Sequence, residues 1–124
     1  MYIMNKKFKA SYDGEGDVLT IYRTAEKVKE SIEVSEDLVI DVDKNMQLVN
    51  LELIDAYKFL HTLNNKISKD MLNGISEVEL EVKNYRNYLL ITLIFKHNNK
   101  IIKEKLPAFA NLNFKSPLIA SAAA

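Results

Sequence analysis

Acidic side chains are the densest chemical feature of this sequence. Asp13, Glu15 and Asp17 stand two residues apart, and Asp41 and Asp43 form a second short cluster. Hard cations such as magnesium or calcium take several oxygen ligands, which makes Asp13, Asp17, Asp41 and Asp43 candidate ligands for a divalent ion. The Asp13-x-Glu15-x-Asp17 spacing is like the start of a calcium loop, without the remaining loop ligands or the closing glutamate. The competing reading is local. A short carboxylate in a turn accepts hydrogen bonds from nearby backbone, and Asp13 and Asp43 both lie in turn-forming sequence. The local reading is preferred, and no metal or other cofactor is expected.

The other reactive residue types are sparse. His61 and His97 are the only histidines, and neither has a second His or Cys near it in sequence. A histidine metal site or a Ser–His–Asp triad therefore has little to build on, and no catalytic residue is named. Glu52 lies in mid-strand opposite the apolar face and reads as surface. Asp55 precedes a helical pattern and reads as its N-cap. Lys83, Arg86, Lys96, Lys100, Lys103 and Lys105 make the back of the chain basic, and Tyr85 and Tyr88 lie among them. Lysines with neighbouring aromatics could form a stacking platform for single-stranded nucleic acid. Glu77, Glu79, Glu81 and Glu104 share the same strands, however, and the net charge is zero. A solvated mixed-charge face is preferred, because a nucleic-acid footprint wants a basic domain. Three glycines are too few to suggest a phosphate-cradling loop.

These side chains hang on a framework organised around residues 38–56. Leu38–Val42 is rich in branched residues and reads as a strand, Asp43-Lys44-Asn45 as a turn, and Leu48–Leu53 as an alternating, half-buried strand. Ala56, Phe59, Leu60, Leu63 and Ile67 then recur at helical spacing. Before this core, Lys7–Tyr12 and Val18–Arg23 read as a hairpin, its turn carrying two glycines free to take positive φ. Lys27–Glu36 reads as an exposed strand, which gives about five strands in meander order. After the helix, Ser68 caps and Gly74 ends a short helical turn. Glu77–Lys83, Tyr88–Lys96 and Ile101–Leu106 follow as a second meander, with His97-Asn-Asn-Lys100 as a hairpin turn.

The chain has 124 residues, 48% of them apolar and 27% charged, enough for one domain with a sizeable core. No apolar run is long enough to span a membrane, and residues 1–8 are too quickly charged for a secretory signal. Without cysteine, disulfides and zinc–thiolate sites are excluded, and a cytoplasmic location is the default expectation. Residues 1–56 carry seven Lys or Arg against twelve Asp or Glu, and residues 57–124 carry ten against five. Such asymmetry marks either two halves that neutralise each other or surfaces for head-to-tail association. The tail, residues 107–124, has Lys115 as its single charged side chain and is too apolar to resemble a solvated disordered segment. Phe109, Leu112, Phe114, Leu118 and Ile119 are accordingly candidate interface residues.

Three segments of the front half resemble a known family. They are Ser11-Tyr-Asp-Gly-Glu-Gly-Asp-Val-Leu-Thr-Ile-Tyr22, Glu33-Val-Ser-Glu-Asp-Leu-Val-Ile-Asp-Val-Asp43 and Val49-Asn-Leu-Glu-Leu-Ile-Asp-Ala56. The pattern of a Tyr-Asp, a polar turn, an Asp before an apolar strand, an Asp-x-Asp turn and a Gly-x-Glu-x-Leu-x-Ala strand is similar to domain-of-unknown-function family 2283, small proteins of archaea and bacteria. Asn50 stands where the family commonly has Gly. The likeness covers roughly residues 7–60 and implies no chemistry. Some members resemble antitoxin partners of small toxins, which implies a binding role.

The sequence thus predicts an α+β domain over residues 1–124: antiparallel meanders of about eight strands with a helical segment packed on one face. Its parts are a family-like meander and the start of the helix at 7–60, a second meander at 77–106 and the apolar tail at 107–124. The expected function is a non-enzymatic, protein-binding and self-associating module, regulatory in the manner of an antitoxin, with a second copy or a small protein as partner and no membrane. A metal-dependent site on the acidic turns and nucleic-acid binding by the basic half are the alternatives.

Overall fold

The computed structural model describes residues 2–24, 27–85, 88–106 and 109–110. The chain runs β1 (Tyr2–Asp13), β2 (Val18–Tyr22), β3 (Glu30–Ser35), β4 (Leu38–Val42), β5 (Leu48–Ile54), α1 (Ala56–Leu63), α2 (Lys69–Asn73), β6 (Glu77–Asn84), β7 (Tyr88–His97), β8 (Lys100–Lys105) and β9 (Phe109–Ala110). All strand pairs are antiparallel and lie in one sheet, in the order β3-β4-β5-β2-β1-β6-β7-β8, with β9 beside β7. The architecture is the α+β fold that the alternation in the sequence implies.

β1 joins the two halves. Its residues Tyr2–Lys9 pair with β6, and Lys9–Asp13 pair with β2, so only Lys9 is paired on both sides. The two meanders are therefore parts of one sheet, staggered along a shared twelve-residue strand. The sequence pattern starts this strand late, at Lys7. The reason is Lys6, which occupies the inward register opposite Leu80 and breaks the alternation. The order within the front half also differs from a simple meander. β2 pairs with β5 instead of β3, which leaves β3 at an edge.

Alternation decides which face is inside. Leu19 and Ile21 on β2, Ile40 on β4, Leu51 and Leu53 on β5, Leu80 on β6, and Ile91, Leu93 and Phe95 on β7 are buried in one apolar cluster with Leu60, Ile67, Met71 and Leu72 of the helical segment. The amphipathic helices thus lay their apolar stripe on one face of the sheet. Residues from both halves join this cluster.

The turns follow local chemistry. Asn98 and Asn99 have φ of 50° and 62°, the two left-handed residues of a type I′ hairpin turn, a conformation that Asn tolerates. Ser68 caps α2 by accepting the Met71 N–H at 3.1 Å, and Gly74 follows the last helical residue, though in a right-handed conformation. In the β1–β2 turn the positive φ falls on Asp17, at 54°, and on neither glycine. Gly16 is there for space: a Cβ would lie 2.9 Å from Asp13 Oδ2. In the β4–β5 turn the left-handed residue is Met46. Among the described residues no helix is long and apolar enough to cross a membrane.

Candidate functional site

The N-terminus of α1 is held from a distance. Asp55, the residue expected to cap it, has a left-handed backbone with φ 55° and makes no side-chain cap hydrogen bond. The cap comes from the β1–β2 turn, some forty residues earlier. Asp17 Oδ1 accepts the Tyr57 N–H at 2.7 Å, and Oδ2 accepts the Lys58 N–H at 3.4 Å. The Asp17 carbonyl accepts the Ala56 N–H at 3.0 Å. Three orphan amides of the helix start are thereby satisfied by one residue. Ala56 is fully buried at this junction, so a small side chain is required.

Tyr12 completes the arrangement by donating its hydroxyl to Asp17 Oδ1 at 2.6 Å. Burial resists ionisation of the Asp17 carboxyl. The hydrogen bonds from Tyr12, Tyr57 and Lys58, with the Lys69 charge nearby, outweigh it and hold the carboxyl below its ordinary range. Burial raises the Tyr12 hydroxyl well above its ordinary value, and the adjacent Asp17 carboxylate raises it further. The pair therefore rests as phenol and carboxylate. Tyr57 stacks on His61 with ring centroids 4.9 Å apart, and the Lys69 ammonium lies 5.4 Å from the Tyr57 ring centre. His61 Nδ1 is 2.8 Å from the Ile67 carbonyl oxygen; a carbonyl only accepts, so Nδ1 carries the hydrogen.

The other candidate aspartates are also engaged, Asp13 and Asp43 within their own turns and Asp41 across strands. Asp13 Oδ1 accepts the N–H groups of Glu15 and Gly16 at 3.1 and 3.3 Å. Asp43 Oδ1 accepts those of Asn45 and Gln47 at 2.8 and 3.0 Å. Asp41 accepts from Ser31 Oγ at 2.6 Å and from Asn50 Nδ2 at 3.1 Å. The two acidic segments flank opposite ends of β5, since Asp41 pairs with Asn50 whereas the end of the Asp17 turn pairs with Ile54. Four strand residues separate those points by about 13 Å. The structure does not bring Asp13 and Asp17 together with Asp41 and Asp43. Among the described residues no three His, Cys, Asp or Glu side chains form a group that could hold a metal.

The family described as protein of unknown function (DUF2283) has a model that matches residues 9–56. The chain is also 30% identical over 105 residues to the uncharacterized protein MJ0789 of Methanocaldococcus jannaschii, a match covering 81% of this chain and 84% of that protein. The chain belongs to the DUF2283 family. No solved structure matches it.

The residues of the family likeness now have physical roles. Tyr12 and Asp17 clasp the front hairpin to α1, Asp13 and Asp43 close their own turns, and Asn50, in the position where the DUF2283 pattern commonly has Gly, holds Asp41. The Tyr12–Asp17 pair was not singled out by sequence reasoning. Its only signal is that both residues lie inside the family motif, five positions apart.

Glu52 is exposed, between Thr20 and Val39 on the outer face. His97 is half-buried at the β7–β8 turn, with Nε2 3.2 Å from Asn98 Nδ2. Lys7 and Lys9 of β1 stand opposite Glu79 and Glu77 of β6. Glu81 lies 3.6 Å from Lys83. Lys96, Lys103 and Lys105 are exposed on the same outer face, so basic and acidic rows alternate across the sheet. Arg86, Leu112, Phe114, Leu118 and Ile119 lie outside the described residues. Tyr88 and Phe109 are described as backbone, within the β7 and β9 strands that pair with each other.

Proposed function

We propose that this DUF2283 protein is a non-enzymatic protein-binding module that self-associates and acts as a regulatory partner, in the antitoxin-like manner the family resemblance suggests. The observation that carries this reading is the pair of open sheet edges. Among the described residues, β3 has a neighbouring strand only in β4, and β8 only in β7. Each edge is a row of main-chain groups that a further strand can pair with. Ile101 on β8 is 62% exposed and Val28, just before β3, is 47% exposed, so both edges also offer apolar surface. The acidic side chains support the reading in another way, because the hydrogen bonds of Asp13, Asp17, Asp41 and Asp43 serve the fold. A cytoplasmic setting belongs to the proposal, and the cysteine-free sequence supports it.

The test is affinity capture from the native host with the tagged full chain, followed by purification of the complex and measurement of its mass by light scattering. A defined assembly, either of copies of this chain or of this chain with one partner, is the expected result. A chain that stays monomeric at high concentration and yields no defined complex overturns the reading.

A further inference from the structure

The two edges that are open among the described residues differ in charge. Glu30 and Glu33 lie on β3, and Glu36 and Asp37 follow in its turn, against Lys27 and Lys29 just before it. β8 carries Lys100, Lys103 and Lys105, with Glu104 as its one acid. The strands are equally long, six residues each. Two β8 edges brought together would juxtapose like charges, as would two β3 edges. A β3 edge against a β8 edge joins opposite charges. The lysines thus guard β8 against its own kind while matching it to β3.

The faces agree as well. Ile32 of β3 is buried toward the core, so Ser31 and Glu33 take the outer face. Ile102 of β8 packs against the same core, so Lys103 and Lys105 take the outer face. In an antiparallel seam with Glu33 opposite Lys103, Ser31 falls opposite Lys105, and the inner faces of the two copies remain continuous. The irregularity after Glu33 limits the regular part of β3 to Glu30–Glu33.

From this we infer that the chain associates head to tail, β3 of one copy adding to β8 of the next to continue the sheet. The inference rests on the self-association part of the proposed function and specifies its geometry. Such a contact is heterologous, so it generates a ring or an open filament and not a two-fold dimer.

Charge reversal tests it. The full-length variants E33K and K103E change outer-face side chains on the edge strands, and circular dichroism checks that each remains folded. Light scattering then follows wild type, each variant and their equal mixture. Wild type should form species larger than a dimer with rising concentration. Each variant alone should associate about fivefold more weakly, because the single Glu33–Lys103 pair of the seam becomes a like-charge pair and the two edges now repel. The mixture should recover association, because each edge of one variant again meets an opposite edge on the other. An associating wild type that is indifferent to both reversals, or a mixture that fails to recover, overturns the seam and leaves self-association standing. A wild type that remains monomeric removes self-association itself.

Discussion

Removing the Asp17 side chain tests the clasp between the front hairpin and α1. In Asp17→Ala three separate contributions are lost. The helix cap on Tyr57 and Lys58 is worth about 1 kcal/mol. The Tyr12 hydroxyl loses a charged acceptor, worth roughly 1.5 kcal/mol at a half-buried site. Alanine at a φ of 54° adds about 1 kcal/mol of backbone strain. The total is roughly 3.5 kcal/mol, which lowers Tm by about 14 °C in a domain of this size. Asp17→Asn keeps a side chain tolerant of the left-handed backbone and one acceptor oxygen, so it should lose only about half as much. Urea unfolding followed by circular dichroism measures both. In a double-mutant cycle, Asp17→Asn and Tyr12→Phe should fall short of additivity by more than about 0.5 kcal/mol, because they share one hydrogen bond. An Asp17→Ala variant within about 0.5 kcal/mol of wild type, or an additive cycle, would refute the clasp.

Three further outcomes follow from the same geometry. The Asp17 carboxyl is held below its ordinary range in the fold, so its contribution is present above about pH 4 and is lost as pH falls through the folded value; the stability gap between wild type and Asp17→Asn, read from urea midpoints, should close on acidification. Tyr12 is raised, so its contribution holds below about pH 10 and is lost as pH rises beyond it. Ultraviolet titration should show a tyrosine that resists ionisation, and Tyr12→Phe should abolish that resistance. Asn99→Gly, at a φ of 62°, should stabilise the β7–β8 hairpin by about 0.5 kcal/mol, whereas Asn99→Val should destabilise it by more than 1 kcal/mol, both read from thermal melts.

Local chemistry alone determined much of this protein. The alternation of Val78, Leu80 and Val82 against Glu77, Glu79 and Glu81 defines β6 and its faces, because side chains in a strand point alternately to either side. Asp13, Asp43 and Ser68 close turns or cap a helix with backbone only two to four residues away, so their roles can be read from the residues themselves. Lys6 shows the limit of the pattern, since one inward-register lysine hides the first part of β1.

Tertiary structure decided what depends on partners far apart in the chain. Asp55 stands where a cap belongs, yet the carboxylate that caps α1 is that of Asp17, because β2 pairs with β5 and carries the front turn to the end of that strand. The same pairing places β3 at one edge and, through β1, β8 at the other, so the acidic front and basic back of the sequence become two opposed edges. Spacing along a chain fixes which way a side chain faces within its own strand or turn. It carries no term for which strand will lie alongside, and that choice, made by burying one shared apolar face, decides the clasp and the open edges alike.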